Sequence, residues 1–250
     1  AQNPEQLPTS PSALSGAATA LEYLTFAKRG DSLPPASIAV QALVGASETS
    51  DVEAHVIQAI DAGYPAVKLK VAAAATGVDI ERIRVAANLT NEKVLLRLDA
   101  NGGWSPNEAS QVLSAVADEE IDLVEEPTQD PSNWRAISTQ TGIEIGADEH
   151  LSGSLQIDHI LELEAAHTFV LKPSVLGGPS FTRELASRAA EHNIRVLISS
   201  FLDGPIALRA ARDLALELAP HEIHGLGTAA LFVDELPEDV RPVNGRIFRQ

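Results

Sequence analysis

From residue 36 onward the chain repeats one hydrophobic pattern. A short apolar run leads into a turn, and the turn leads into a segment whose apolar residues recur every third or fourth position. The runs read as strands and the periodic segments as amphipathic helices. This predicts strands over 38–44, 66–71, 94–99, 123–125 (in an apolar run that opens at Ile121), 144–147, 168–171, 196–199 and, with the weakest pattern, 222–225. It predicts helices over 50–62, 79–89, 106–117, 133–141, 156–163, 180–192 and 205–218. Strands alternating with helices in this number form a closed α/β barrel of the TIM-like (β/α)7β type rather than an open doubly wound sheet.

Before the repeats, 1–15 is rich in Pro, Ser, Gln and Asn and reads as a poorly ordered lead-in. An Ala/Leu-rich segment over 13–27 follows, with helical periodicity and a stop at Lys28-Arg29-Gly30. The expected organisation is therefore 1–35 as lead-in and helix, 36–228 as barrel, and 229–250 as a tail. Pro237, Pro242 and Gly245 predict that the tail packs on the barrel as irregular structure.

Composition narrows the function classes. Lys+Arg 18 against Asp+Glu 35 in 250 residues leaves a net charge of -17, which argues against nucleic acid as a partner. A small anionic carboxylate substrate remains compatible, since a bound divalent cation and a few lysines can invert the field inside a pocket. Without Cys, neither a disulfide framework nor a thiolate zinc site is available. No apolar run approaches the roughly 20 residues of a membrane span, and no basic-then-apolar leader opens the chain. The expectation is a cytoplasmic protein without a membrane partner.

The chemistry collects at strand ends, which in parallel βα units converge on one rim. The third predicted strand stops on Asp99-Ala100-Asn101-Gly102 and the fourth on Glu125-Glu126-Pro127. The fifth runs into Asp148-Glu149-His150, where Glu149 and His150 are alternative ligands to Asp148 and a lone His after a strand is more often a turn or cap residue. Either of the first two motifs alone is ordinary turn chemistry, but three carboxylates on successive strand ends suit a hard divalent cation. Period-2 alternation puts Lys68 and Lys70 on one face of the second strand, and a central strand makes that face the interior. Lys172 ends the sixth strand across the barrel. Ser199-Ser200 and the turn His224-Gly225-Leu226-Gly227-Thr228 complete the rim, the glycines allowing backbone N–H groups to approach an anion. A metal beside a substrate carboxylate, with a lysine near the α-carbon, suits proton abstraction through an enediolate.

These motifs, Lys68-x-Lys70, Asp99-Ala100-Asn101, Glu125-Glu126-Pro127, Asp148-Glu149 and Lys172-Pro173, resemble the enolase superfamily and its muconate-lactonizing subgroup in order and spacing. The resemblance implies Mg²⁺, with Mn²⁺ as a substitute, bound by Asp99, Glu125 and Asp148, and Lys70 and Lys172 on opposite faces of the substrate. It also implies a capping domain ahead of the barrel, of which this chain is expected to carry only the last helix. Within the subgroup, Arg97, the segment Ile198-Ser199-Ser200-Phe201-Leu202-Asp203 and the 224–228 turn are most similar to the o-succinylbenzoate synthases of menaquinone biosynthesis. That likeness implies a syn dehydration in which Lys70 takes the α-proton and returns it to the departing hydroxyl, while Lys172 stabilises the enolate. Lys68, Arg97, Asn101, Ser199, Ser200 and Gly225 would contact substrate, with Ser200 and the Gly225 region at the succinyl carboxylate. Racemisation or epimerisation of N-acylated amino acids or dipeptides shares the paired lysines, although the Asp-x-Asp usual in dipeptide epimerases at the last strand is absent. A non-catalytic barrel fragment is the reading of a different class.

Overall fold

The computed structural model describes residues 9–30, 33–34, 36–45, 48–90, 93–232 and 236–249. The first eight residues of the expected lead-in lie outside this set. The helix that follows, α1 (Pro11–Arg29), begins two residues earlier than periodicity predicts. Pro occupies its first turn, where no N–H is needed, and Gly30 closes it at φ 72°.

The βα repeats are present. The predicted first strand is interrupted at Gln41, giving β1 (Ala36–Val40) and β2 (Ala42–Val44). There follow α2 (Thr49–Asp61), β3 (Ala66–Lys70), α3 (Thr76–Thr90), β4 (Leu95–Asp99), α4 (Pro106–Ala115) and β5 (Ile121–Glu125). Next come α5 (Trp134–Thr141), β6 (Ile145–Ala147), α6 (Ser154–Glu162) and β7 (Thr168–Leu171). A one-turn helix that periodicity did not predict, α7 (Pro173–Leu176), follows, then α8 (Pro179–Glu191), β8 (Arg195–Ile198), α9 (Pro205–Leu218) and β9 (Ile223–His224). The tail differs from its expectation of irregular structure, because β10 (Arg246–Arg249) pairs antiparallel with β1. The two Pro residues bracket short turns, and the alternation in Arg246-Ile247-Phe248-Arg249 buries Ile247 on the core side.

Strands β2 to β8 form one parallel sheet in sequence order. The ring closes where β9 pairs with β1, and where Ser199 bridges Gly225 in parallel. The Gly225 N–H donates to the Ile198 carbonyl at 2.9 Å and the Gln41 N–H to the His224 carbonyl at 2.9 Å. Gly is required here, because a Cβ on Gly225 would stand 2.4 Å from the Ser199 hydroxyl oxygen and one on Gly227 would stand 2.2 Å from the Gln41 carbonyl oxygen. Central strands are buried on both faces: in β3, Ala66, Val67, Lys68 and Leu69 are all buried. The helices are cut to length by local chemistry. Ser105 and Glu108 form a reciprocal capping box at the start of α4, with Pro106 in the first turn. Among the described residues, no helix is long and apolar enough to cross a membrane.

Candidate active site

Parallel register places the strand-end groups at one height. Lys70 pairs with Asp99, Asp99 with Glu125, and Glu125 with Gly146, two residues before Asp148. Lys68 and Arg97 are register partners one step lower, and from there the Lys68 side chain reaches Asp99 and Glu125. The two lysines of β3 therefore point into the barrel, while Leu69 packs outward in the hydrophobic core.

The lysines and carboxylates interlock. Lys68 Nζ lies 2.9 Å from both Asp99 Oδ2 and Glu125 Oε2. Lys70 Nζ donates to Asp99 Oδ2 and to Asn101 Oδ1, each at 2.6 Å. Lys172 Nζ donates to Asp148 Oδ2, and Asn101 Nδ2 donates to Glu149 Oε1 at 2.9 Å. Asn101 can make both contacts because the Asp99–Gly102 turn takes it to φ 45°, a left-handed conformation that Asn tolerates.

Burial and charge set the ionisation of this cluster. Burial works against the charge on Asp99, but Lys68 and Lys70 outweigh it and hold the carboxyl at about 2. Burial pushes Asp148 up to about 7 against the pull of Lys172, with Glu125 and Glu149 adding repulsion. Glu125 is likewise raised by burial, against Lys68. Burial also opposes the charge on Lys68 and Lys172, yet their carboxylates prevail, and both ammonium groups are held above the ordinary lysine range.

As these side chains are arranged, no three acids or histidines among the described residues converge on one point, and Lys68 and Lys172 take the acidic oxygens instead. The donor set nevertheless fits a hard divalent cation. It is all oxygen, it comes from three successive strand ends, and the buried Oε1 of Glu125 has no hydrogen-bond partner.

A cavity of about 280 Å³ opens above this cluster at the C-terminal mouth of the barrel. Lys68, Lys70, Asp99, Asn101 and Lys172 line one part of it, and Ser199, Ser200 and Gly225 line another, so eight of the predicted residues share one space. Glu125 and Asp148 are buried in the floor. Two expectations need correction. Arg97, expected at the substrate, is fully buried below the cavity, where its Nε donates to Asp122 and its Nη1 to Gln41 Oε1 and the Ile223 carbonyl. The Gly225 N–H, expected to face an anion, is spent on barrel closure. Its carbonyl instead accepts from the Ser199 hydroxyl at 3.2 Å, and Ser200 pairs with Thr228 at 2.8 Å.

Residues to which the sequence assigned no role complete the cavity. Gln41 lies in it at the break between β1 and β2, and a Gln inside the apolar run Ile38–Val44 was the available signal. Phe201, Leu202 and Leu231 form an apolar wall, with the Lys172 ammonium 6.0 Å from the Phe201 ring centroid. Below the rim, Glu126 accepts from the Asp148 N–H at 2.7 Å and from the His150 N–H at 3.2 Å. Its other oxygen meets His150 Nδ1, and that hydrogen bond raises the imidazole pKa. His150 is thus a partner of Glu126 rather than a fourth group at the cavity.

The model of a family described as enolase C-terminal domain-like matches residues 51–249. The o-succinylbenzoate synthase of Mycolicibacterium smegmatis is 32% identical over 188 residues, covering 73% of this chain and 56% of that protein. The o-succinylbenzoate synthase of Vibrio cholerae is 37% identical over 146 residues, covering 56% of this chain and 44% of its own length. The chain thus spans about half the length of these curated relatives. Among solved structures, a substrate-liganded L-Ala-D/L-Glu epimerase from Bacillus subtilis superposes with a TM-score of 0.83 at 23% identity, over 90% of this chain and 66% of that one, and so shares the fold.

Proposed function

Because the chain belongs to the enolase C-terminal domain-like family, we propose that its cavity dehydrates 2-succinyl-6-hydroxy-2,4-cyclohexadiene-1-carboxylate to o-succinylbenzoate, a step of menaquinone biosynthesis, with Mg²⁺ as cofactor. The observation that carries this reading is the placement of Lys70 and Lys172 in one cavity above Asp99, Glu125 and Asp148. The names of the curated relatives favour the dehydration among the reactions such a site can run.

Asp99, Glu125 and Asp148 would hold the cation, which when bound supplies positive charge beside the substrate carboxylate as the α-proton leaves. Lys70 removes that proton and returns it to the departing hydroxyl on the same face, so that water is lost syn. Asp99 and Asn101 fix its Nζ between two acceptors, which aims the amine before substrate arrives. Lys172 acts from Asp148 as a fixed cation against the developing enolate. Lys68 neutralises Asp99 and Glu125, which share a dry floor. The hydroxyls of Ser199 and Ser200, which line the cavity, would turn to the succinyl carboxylate, and Phe201, Leu202 and Leu231 would keep water from the ring carbons.

The test is an assay of o-succinylbenzoate formation, with and without Mg²⁺, on this chain and on Asp148→Ala. The expected result is product only with Mg²⁺ and a loss of at least about a hundredfold in the variant, since a metal ligand has been removed. Product formed equally without Mg²⁺ would overturn the reading. The paired lysines also favour a second reading, racemisation of N-acylamino acids. It predicts solvent deuterium entering the α-carbon of N-succinyl amino acids at a rate that exceeds dehydration.

A further inference from the structure

A charged cluster outside the cavity touches the reacting end of β3 from behind. Asp79 and Arg82 lie one turn apart near the start of α3, with 0% and 2% of their surfaces exposed, and pair at 3.0 Å. The second oxygen of Asp79 accepts from the Ala72 N–H at 2.8 Å and from the Trp104 Nε1–H at 3.1 Å. Arg82 Nη2 donates to the Lys70 carbonyl at 2.8 Å. One buried ion pair therefore grips the backbone on both sides of Val71, directly behind Lys70, and also the loop that follows β4.

These two loops are in contact. Ala72 has φ 66°, a left-handed conformation that Ala rarely adopts and that must be held by its surroundings. Gly103 faces it so closely that a Cβ there would stand 2.9 Å from the Ala72 Cβ and 3.0 Å from the Ala100 carbonyl oxygen. The second loop also carries Asn101, which holds the Lys70 amine at 2.6 Å. Lys70 is thus gripped at its carbonyl by Arg82 and at its amine by a loop anchored through Trp104. A buried ion pair adds little net stability over an apolar pair of the same shape. What an apolar pair could not supply is hydrogen bonds to the Lys70 carbonyl, the Ala72 amide and the Trp104 indole together.

We infer that Asp79, Arg82 and Trp104 are a positioning unit that fixes the Lys70 amine over the cavity. The inference rests on Lys70 as the proton-transferring group and adds what holds it in place. Arg82→Lys replaces two separately aimed Nη donors by a single ammonium and loses the planar grip on Asp79 and the Lys70 carbonyl, and Trp104→Phe removes one donor while keeping the ring. Leu113→Ala, in the buried face of α4, serves as a variant destabilised elsewhere.

For each variant the measurements are kcat, KM, Mg²⁺ affinity by calorimetry, Tm, and the rate at which acetic anhydride acetylates Lys70, read by mass spectrometry. Arg82→Lys is expected to lower kcat by roughly ten- to a hundredfold, the cost of a misplaced reacting group. KM and Mg²⁺ affinity should stay near those of the unmodified chain, and acetylation of Lys70 should speed up. Trp104→Phe should shift the same two readouts by less, and Leu113→Ala should lower Tm without moving either. The inference is overturned if kcat follows Tm across all three variants, or if Arg82→Lys leaves the acetylation rate of Lys70 unchanged. A Lys70→Ala variant with full activity would instead defeat the reading of the site, while the acetylation rates would still decide whether this unit holds Lys70.

Discussion

Two layers of charge are stacked inside the barrel, and they are built from different cations. The upper layer, at the mouth, sets Lys68, Lys70 and Lys172 against Asp99, Glu125 and Asp148. The lower layer sets Arg97 and Arg195 against Asp122, with Gln41 and the Ile223 carbonyl as further acceptors for Arg97. Lysine offers a compact charge on a flexible stem whose proton can be lost, whereas a guanidinium keeps its charge and grips in a fixed plane. The lower layer therefore behaves as a plug that ties β4, β5, β8 and β9 across the interior. The upper layer has 35% of the Lys70 side chain exposed at the cavity, and it is the layer in which the proposed proton transfer takes place.

The largest expected separation between the layers comes from Lys70→Ala, which should slow dehydration by about a thousandfold, within the range of a lost general base, while the unfolding midpoint stays close to that of the parent. Rate measurements beside thermal melts test this, and an unimpaired rate would remove the upper layer as the reaction centre. Arg97→Met should do the opposite. It strands part of a buried ion-pair network and should cost about 3–5 kcal/mol in urea unfolding, with turnover per folded molecule retained. A selective loss of turnover in that variant would mean that Arg97 does reach the substrate.

A smaller effect should come from pH. His224 is fully buried, accepting from the Ile198 N–H at 3.0 Å and facing the Ala219 carbonyl with its other nitrogen. Burial, together with the nearby charge of Arg97, lowers its pKa from 6.5 to about 4. Between these values the imidazole takes up the extra proton in the unfolded chain and not in the folded one, so the His224 contribution to stability rises with pH across the window. That contribution should be complete above the unfolded value and should fall by up to roughly 3 kcal/mol as pH drops toward the folded one. Equilibrium unfolding of the parent and of His224→Asn across that window measures it. The slope due to His224 should be missing from the variant.

Much of the site was legible before any coordinates, for a geometric reason. In a parallel barrel the strand ends share one rim, so Asp99, Glu125, Asp148 and Lys172 could be grouped from their places in the repeat alone. The alternation in β3 put Lys68 and Lys70 on one face, and centrality chose the interior. Arg97 shows where such reasoning stops. It shares the inward parity of Asp99, but one step down the strand lowers it a full layer, and only the positions of Asp122, Gln41 and Ile223 reveal what it bonds. The Gly225 amide was misread for a similar reason, since a Gly turn suits an anion or a tight strand crossing equally well until Ile198 is seen to take its hydrogen.

The chain by itself determined the repeat, the parity of its strands and the chemical types at their ends, because these depend on neighbours two to four residues apart. Tertiary structure decided which layer each interior charge occupies, which amide hydrogens are consumed in closing the ring, and that β10 returns to pair with β1. It also decided that Asp79, Arg82 and Trp104 meet behind Lys70. Such outcomes depend on packing between residues far apart in sequence, where burial drives most polar atoms to find a partner and leaves local pattern no means of naming it.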